Sequence, residues 1–196
     1  PTVRSDVLDA LLARTPATLE LTLWSVLLFI PLGLASGALA GWAKGGAIDR
    51  GFRLAAFVGT SIPPFILGLV LLSVFYVGLY WFQPGYLGPE AEVLVADTSF
   101  HTITGLMTVD GILNGRPEIS FDAVRHLVLP VVTLSLFHWA TLGRVTRAAV
   151  VEETRKGYVT AAHARGLAPR RVLWGHAVPN VLVPGLTSSA LAAATL

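Results

Sequence analysis

Two side chains in this sequence have the types and surroundings that a hydrolytic reaction would need. Ser61 lies in the stretch Gly59-Thr60-Ser61-Ile62, which is similar to the surroundings of a serine nucleophile, and His138 is the candidate base. A four-residue match of this kind often arises by chance, so its structural context has to decide. The five histidines include no pair four residues apart and the sequence has no cysteine, so no metal site is predicted.

Glu20 is the one charged residue between positions 17 and 43. A carboxylate deep in an apolar stretch is costly and often functional. If the helix begins near Pro16, however, Glu20 lies about one turn inside it and reaches lipid headgroups or the positive end of the helix dipole. We favour the second interpretation and leave the first open.

The elements that carry these side chains are long apolar stretches. The 196 residues are 54% hydrophobic and 13% charged, with a mean hydropathy of +0.67, whereas a soluble domain has about 25% charged residues. A membrane-spanning helix needs roughly 20 apolar residues. Four stretches meet this length with at most one charge, at 17–43, 54–82, 126–143 and 177–196. The pattern predicts an all-α, polytopic transmembrane bundle with about four spans.

The ends of these spans are predicted from local signals. Thr15 suits an N-cap and Pro16 suits the first helical turn, so the first span is expected to begin there. The second span is predicted at 54–82, the third at His126–Gly143, and the fourth from about Ala177 onward. Because the chain starts without Met and stops within an apolar run, we expect a piece of a longer membrane protein.

The loop charges predict the orientation of the spans. The loop 44–53 has three basic residues against one acidic, and the segment 144–175 has seven against two, whereas the segment 83–125 has two against six. Because basic loops stay in the cytoplasm, 44–53 and 144–175 are predicted to be cytoplasmic and 83–125 to be an extracytoplasmic loop. The basic excess therefore reflects topology, and no nucleic-acid partner is expected. The segment 83–125 is predicted to hold short strands or a small helix.

Prolines interrupt the apolar stretches. Pro31, Pro63, Pro64 and Pro130 remove helix hydrogen bonds, and such breaks in membrane helices often line a cavity or act as hinges. Proline is also common in membrane helices generally. Four residues are candidates for a translocation pathway: Ser61, Pro63, Pro64 and His138. For His138, a hydrogen-bonded place in the core is the more common role.

The predicted cytoplasmic segment contains a short helix and a tight corner. Residues 158–165 are rich in helix formers and small alanines, Gly166 is a natural helix stop, and Pro169 suits the first turn of the next helix. A short helix of small residues outside the bilayer can dock in a groove of a partner protein. The residues themselves do not name the partner.

This segment resembles the EAA loop, which marks the permeases of binding-protein-dependent ABC importers. Thr160-Ala161-Ala162 is followed by Gly166 and, after nine intervening residues, by His176-Ala177-Val178-Pro179. Thr160 stands where the general motif has Glu, and His176 where it has an aliphatic residue. Both departures resemble the dipeptide, oligopeptide and nickel branch of the family. Upstream stretches also look like that branch: Thr18–Leu21, Ser61–Leu69 and Arg125–Pro130.

The resemblance implies a role for each part of the chain. Residues 1–196 would be one transmembrane permease domain of the MetI-like fold in the bacterial inner membrane, and 144–175 its coupling segment. Its expected partners are cytoplasmic ABC ATPase subunits, a second permease subunit, an extracytoplasmic substrate-binding protein and the lipid bilayer. ATP and Mg²⁺ would bind the ATPase, since the sequence has no G-x-x-x-x-G-K-[ST] motif and no cofactor is expected in this chain. The solute would be a peptide or nickel. The implied ATPase-coupling residues are Tyr158, Thr160, Ala161, Ala162, Ala164, Gly166, Leu167 and Arg170.

Two other functions remain open at this stage. An intramembrane protease would use Ser61 and His138. A secondary transporter would need charges inside the spans for ion coupling, and only Glu20 is available.

Overall fold

Every regular element in the part of the chain that the structure describes is a helix. The computed structural model describes residues 2–181 together with 187 and 190. The α-helices there are α1 (Thr2–Trp42), α2 (Ala47–Ser61), α3 (Pro64–Leu71), α4 (Pro89–Val95), α5 (Met107–Leu113), α6 (Pro117–Glu153), α7 (Gly157–Ala164) and α8 (Pro169–Val172). Two π-helical stretches, Leu72–Gly78 and Leu173–Ala177, extend α3 and α8. The predicted all-α class is confirmed.

Two of the helices described, from Asp9 to Trp42 and from Pro117 to Glu153, are long and apolar enough to cross a membrane. Ala47–Ser61 and Pro64–Gly78 pass the same test together, but the pair is bent by 95° at the break between them. The described chain thus has two such spans, or three if the bent pair counts as one. The fourth predicted span begins with helical residues 178–181 and then lies largely outside the described residues.

The prediction that the first helix begins at Thr15-Pro16 is wrong. Helix α1 begins at Thr2 and continues through Pro16. The Thr15 hydroxyl does not cap a helix start but donates to the carbonyl of Leu11, 2.8 Å away in the preceding turn. Pro16 lacks a backbone N–H donor, but α1 is helical on both sides of it. The missing hydrogen bond therefore does not interrupt the helix.

The second and third spans also differ from their predicted limits. Instead of one helix over 54–82, the chain forms α2 from Ala47, leaves the helix at Ile62 with extended backbone (ψ 120°), and restarts at Pro64. The residue before a proline avoids the helical region, so Pro63-Pro64 breaks the span as the sequence suggested. Pro130, in contrast, lies inside the uninterrupted α6. That helix extends nine residues before and ten beyond the predicted 126–143.

Contacts along the chain form two compact units. One contains the residues up to Ser25 and Phe65–Thr133, and the other contains Val26–Pro64 and the residues from Leu134 onward. In the second unit, α1 packs closely on α6 through Gly33, Gly37 and Gly41. A Cβ added to Gly37 would lie 2.4 Å from the Gly143 carbonyl oxygen. Small residues four apart allow this close approach, as is common between membrane helices.

The second unit also contains a buried ion pair. Asp49, whose side chain is 2% exposed, pairs with Nε and Nη2 of Arg147 on α6, at 2.5 and 2.9 Å. The amide of Gly45 donates to the same carboxylate at 2.9 Å. The pair therefore fixes the start of α2 against α6.

In the first unit, the predicted outer segment forms short helices rather than strands. Asp110 on α5 accepts hydrogen bonds from the amides of Ile103, Thr104 and Gly105 and from the Thr104 hydroxyl. Burial alone would raise the pKa of Asp110, but these donors outweigh it and hold the pKa below its usual value. The turn before α5 is therefore tied to the helix by an ionised carboxylate.

The expectation that Glu20 reaches lipid headgroups or the helix dipole is wrong. Because α1 begins at Thr2, Glu20 lies in its middle, and its side chain is fully buried. Its carboxylate accepts hydrogen bonds from the Tyr86 hydroxyl and from the amide of Thr108, at 2.7 Å for the amide. The Thr108 hydroxyl also donates to it. Glu20 thus binds the first turn of α5, through Thr108, and the segment before α4, through Tyr86, to the first span.

Candidate coupling site

The helix α7 begins after a short turn at the end of α6. Its sequence Gly157-Tyr-Val-Thr-Ala-Ala-His-Ala contains three alanines, the best helix formers. Lys156 has extended backbone before the helix (ψ 145°) and marks its start. The predicted short helix is thus present, and it ends two residues before Gly166.

The end of α7 is a Schellman motif. Gly166 has φ +75°, its amide donates to the His163 carbonyl at 2.9 Å, and the amide of Leu167 donates to the Ala162 carbonyl at 3.2 Å. The left-handed conformation strains any residue with a Cβ and is natural for glycine. A Cβ at Gly166 would meet nothing within 4 Å. The glycine is therefore needed for its backbone conformation rather than for space.

The two faces of α7 differ. Val159 and Ala162 are buried in a cluster with Val172, against which Trp42 and Leu167 pack. The opposite face is exposed. It presents the side chains of Thr160, Ala161 and Ala164.

The structure thus divides the residues that the sequence grouped as a coupling set. Thr160, Ala161, Ala164, Gly166 and Arg170 are exposed, and Tyr158 is 37% exposed. Ala162 is buried and Leu167 half-buried, so these two support the helix from inside. The exposed members remain available for contact with a partner.

Sequence reasoning did not include Glu153 among the coupling residues, and its side chain is 7% exposed at the end of α6. Its Oε1 accepts hydrogen bonds from the Tyr158 hydroxyl at 2.7 Å and from Nδ2 of Asn180 at 3.1 Å. Its Oε2 pairs with Nζ of Lys156 at 2.6 Å. Tyr158 was among the predicted coupling residues, but nothing in the sequence indicated that Tyr158 and Asn180 share one carboxylate.

The candidate pathway residues lie in the second unit: Ser61 ends α2, Pro63 lies in the break, Pro64 begins α3 and His138 lies within α6. Ser61 donates its hydroxyl to the Phe57 carbonyl at 2.8 Å. The ring of His138 lies beside Phe29, with centroids 5.3 Å apart, and beside Phe137. Within the described residues, no hydrogen bond joins Ser61 to His138, so the arrangement that a serine nucleophile and its base require is absent. The assignment of these residues to a pathway stays a prediction.

Apolar helices of spanning length, together with a short helix that follows the end of α6 and has one exposed face, define a helical membrane protein. The chain belongs to the family described as binding-protein-dependent transport system inner membrane component, whose model matches residues 30–196. The predicted family is confirmed. This family consists of transport permeases rather than enzymes.

Relatives of the chain include several peptide permeases by name. The chain is 37% identical over 195 residues to the di/tripeptide transport system permease protein DppB of Pseudomonas aeruginosa, covering 100% of this chain and 56% of that protein. It is 34% identical over 186 residues to the probable D,D-dipeptide permease DdpB of Escherichia coli, covering 95% and 53%. It is 31% identical over 183 residues to the oligopeptide permease AppB of Bacillus subtilis, covering 93% and 50%. The chain spans about half the length of these relatives.

Proposed function

We propose that this chain forms part of the translocation pathway of an ATP-driven peptide importer in the bacterial inner membrane. Family membership supports the transport role, and the names of the relatives support a peptide as the solute. Nickel, which the branch resemblance also allowed, has no support from these names. In the described residues, no group of three or more metal-binding side chains is present.

The outer face of α7 is the observation that carries the coupling role. Thr160, Ala161 and Ala164 have small side chains, so a partner's backbone can approach the helix closely. The opposite face is held by Val159 and Ala162, so the helix is presented as a preformed element. A preformed helix loses little conformational entropy when a groove of another protein closes around it.

The partner that fits this face is a cytoplasmic ATPase subunit. The 196 residues contain no phosphate-binding loop of the G-x-x-x-x-G-K-[ST] type, so ATP and Mg²⁺ would bind that partner. The basic excess of 144–175 supports a cytoplasmic location for α7. Arg165, Arg170 and Arg171 are exposed beside the helix and would contact acidic groups of the ATPase or lipid phosphates.

On the other side of the membrane, we propose that the segment 83–125 faces the substrate-binding protein. Its six carboxylates exceed its two arginines, Arg116 and Arg125. Arg116 is already engaged, because its Nη2 pairs with Asp97 at 3.0 Å. A second permease subunit would complete the pathway along the exposed apolar faces of the spans.

Cysteine crosslinking tests the docking of α7. The sequence has no cysteine, so single cysteines report unambiguously once any cysteines elsewhere in the full-length protein are replaced. Ala161→Cys, on the exposed face, is expected to crosslink to an ATPase subunit in native membranes. The neighbouring Ala162→Cys is the matched control, because Ala162 is 8% exposed. Two outcomes would contradict the proposal: equal crosslinking of the two variants to the ATPase, or no crosslinking of Ala161→Cys to it.

A further inference from the structure

Three separate stretches of chain meet at the carboxylate of Glu153. Tyr158 belongs to the first turn of α7, Asn180 belongs to the helical residues after the second π-helical stretch, and Glu153 ends α6. Besides donating to Glu153, Nδ2 of Asn180 lies 3.2 Å from the Tyr158 hydroxyl oxygen. The three side chains therefore form a closed triangle of hydrogen bonds.

The chemistry of the triangle favours a fixed geometry. Burial, and then the neighbouring carboxylate of Glu153, raise the pKa of Tyr158, so its hydroxyl keeps its proton and donates at every physiological pH. Hydrogen bonds to an ionised carboxylate are shorter and stronger than neutral ones. The Lys156 ammonium, more than half exposed, closes the solvent side.

The far part of α7 is held by a different span. The ring of His163 lies against the ring of Trp42, the last residue of α1, with centroids 5.8 Å apart. Trp42 also packs on the cluster of Ala38, Val150 and Leu173. Helix α7 is thus attached through Trp42 to α1 and through Glu153 to α6 and to the helix that contains Asn180.

We infer that Glu153 is a positioning residue that joins α7 to α6 and to the helix of Asn180, so that a displacement of α7 moves these helices with it. This inference rests on the proposed docking of α7 to an ATPase. Glu153 itself is buried and does not touch the partner. Its role is to hold α7 rigidly to α6 and to the helix that contains Asn180.

The neighbouring Glu152 offers a matched control. It has the same side chain and is exposed. Glu153→Gln keeps the size of the side chain but removes its charge and one acceptor, whereas Glu152→Gln changes the charge of the chain equally. Tyr158→Phe removes only the hydroxyl that donates to Glu153.

The test uses the full-length transporter complex with its ATPase and binding protein, reconstituted in lipid vesicles. ATP hydrolysis and peptide uptake are measured in the same vesicles. In Glu153→Gln we expect the peptide imported per ATP hydrolysed to fall, because a neutral amide holds Tyr158 less firmly than the carboxylate does. ATP hydrolysis and complex assembly should persist, and Glu152→Gln should import as the unaltered protein does.

The double variant of Glu153 and Tyr158 provides a second test. If Glu153 acts through Tyr158, the double variant Glu153→Gln/Tyr158→Phe should be little worse than Glu153→Gln alone. If Glu153→Gln does not assemble, Tyr158→Phe alone should still lower the ratio of uptake to hydrolysis. An unchanged ratio in assembled Glu153→Gln, or an equal loss in Glu152→Gln, would overturn the inference. Absence of ATP-driven uptake by the unaltered complex would instead refute the proposed function on which it rests.

Discussion

Replacing Arg147 by Gln should destabilise the protein far more than replacing Arg53, although both arginines pair with Asp49. Arg147 binds the carboxylate through two nitrogens and its side chain is 22% exposed, whereas Nε of Arg53 lies 3.7 Å away on a side chain that is 57% exposed. Without Arg147, the Asp49 charge stays buried with the Gly45 amide as its remaining close donor.

The expected magnitudes follow from this difference. Removing one partner of a buried ion pair costs about 3–5 kcal/mol. We expect about 3 kcal/mol for Arg147→Gln, since Arg147 is partly exposed and Arg53 remains nearby. An exposed pair contributes about 0–1 kcal/mol, which sets the expectation for Arg53→Gln. Because about 1.4 kcal/mol is tenfold, the two unfolding equilibria should differ by roughly thirtyfold or more.

The assay is reversible unfolding of the full-length protein in mixed detergent micelles, followed by far-ultraviolet circular dichroism. The double variant Asp49→Asn/Arg147→Gln should lose less than the two single variants added together, because it leaves no unpaired charge. Equal losses for Arg147→Gln and Arg53→Gln would refute the reasoning, and so would a loss below about 1 kcal/mol for Arg147→Gln.

Three further predictions follow from single positions. Gly166→Val should reduce peptide uptake and Gly166→Asn should largely retain it, because Asn tolerates the left-handed backbone and Val does not; equal uptake by both variants would refute a conformational role. Gly37→Ala should cost about 1–3 kcal/mol of stability in the same unfolding assay, because its Cβ would overlap the α6 backbone. Gly51→Ala, with open space around it in α2, should instead stabilise by up to about 1 kcal/mol, and the reverse order would contradict the helix packing. Glu20→Ala should leave the Thr108 amide without its buried acceptor and make the start of α5 more sensitive to limited proteolysis, and unchanged cleavage would count against that link.

Local signals predicted the fold class and the short helix α7, and they failed where contacts between distant residues decided the structure. The helix at 157–164 and its stop at Gly166 follow from alanine propensity and from one backbone conformation, both properties of neighbouring residues. The start of α1 could not be predicted from Thr15-Pro16. The same residue pair can stand at the start of a helix, where the threonine caps it, or inside a helix. Only the contact of its hydroxyl with the Leu11 carbonyl separates the two.

The sequence by itself determined that this protein is a helical membrane protein, and the resemblance of residues 160–179 to the EAA loop indicated its family. Apolar length, loop charge and turn chemistry are read over short stretches, and the bilayer makes length and charge decisive. Only the tertiary structure decided how the polar side chains pair. Glu20 meets Thr108 across 88 residues, Asp49 meets Arg147 across 98, and Glu153 meets Asn180 across 27. A buried charged side chain requires a partner. The packing of the helices selects that partner, so the position of the charged residue in the sequence does not identify it.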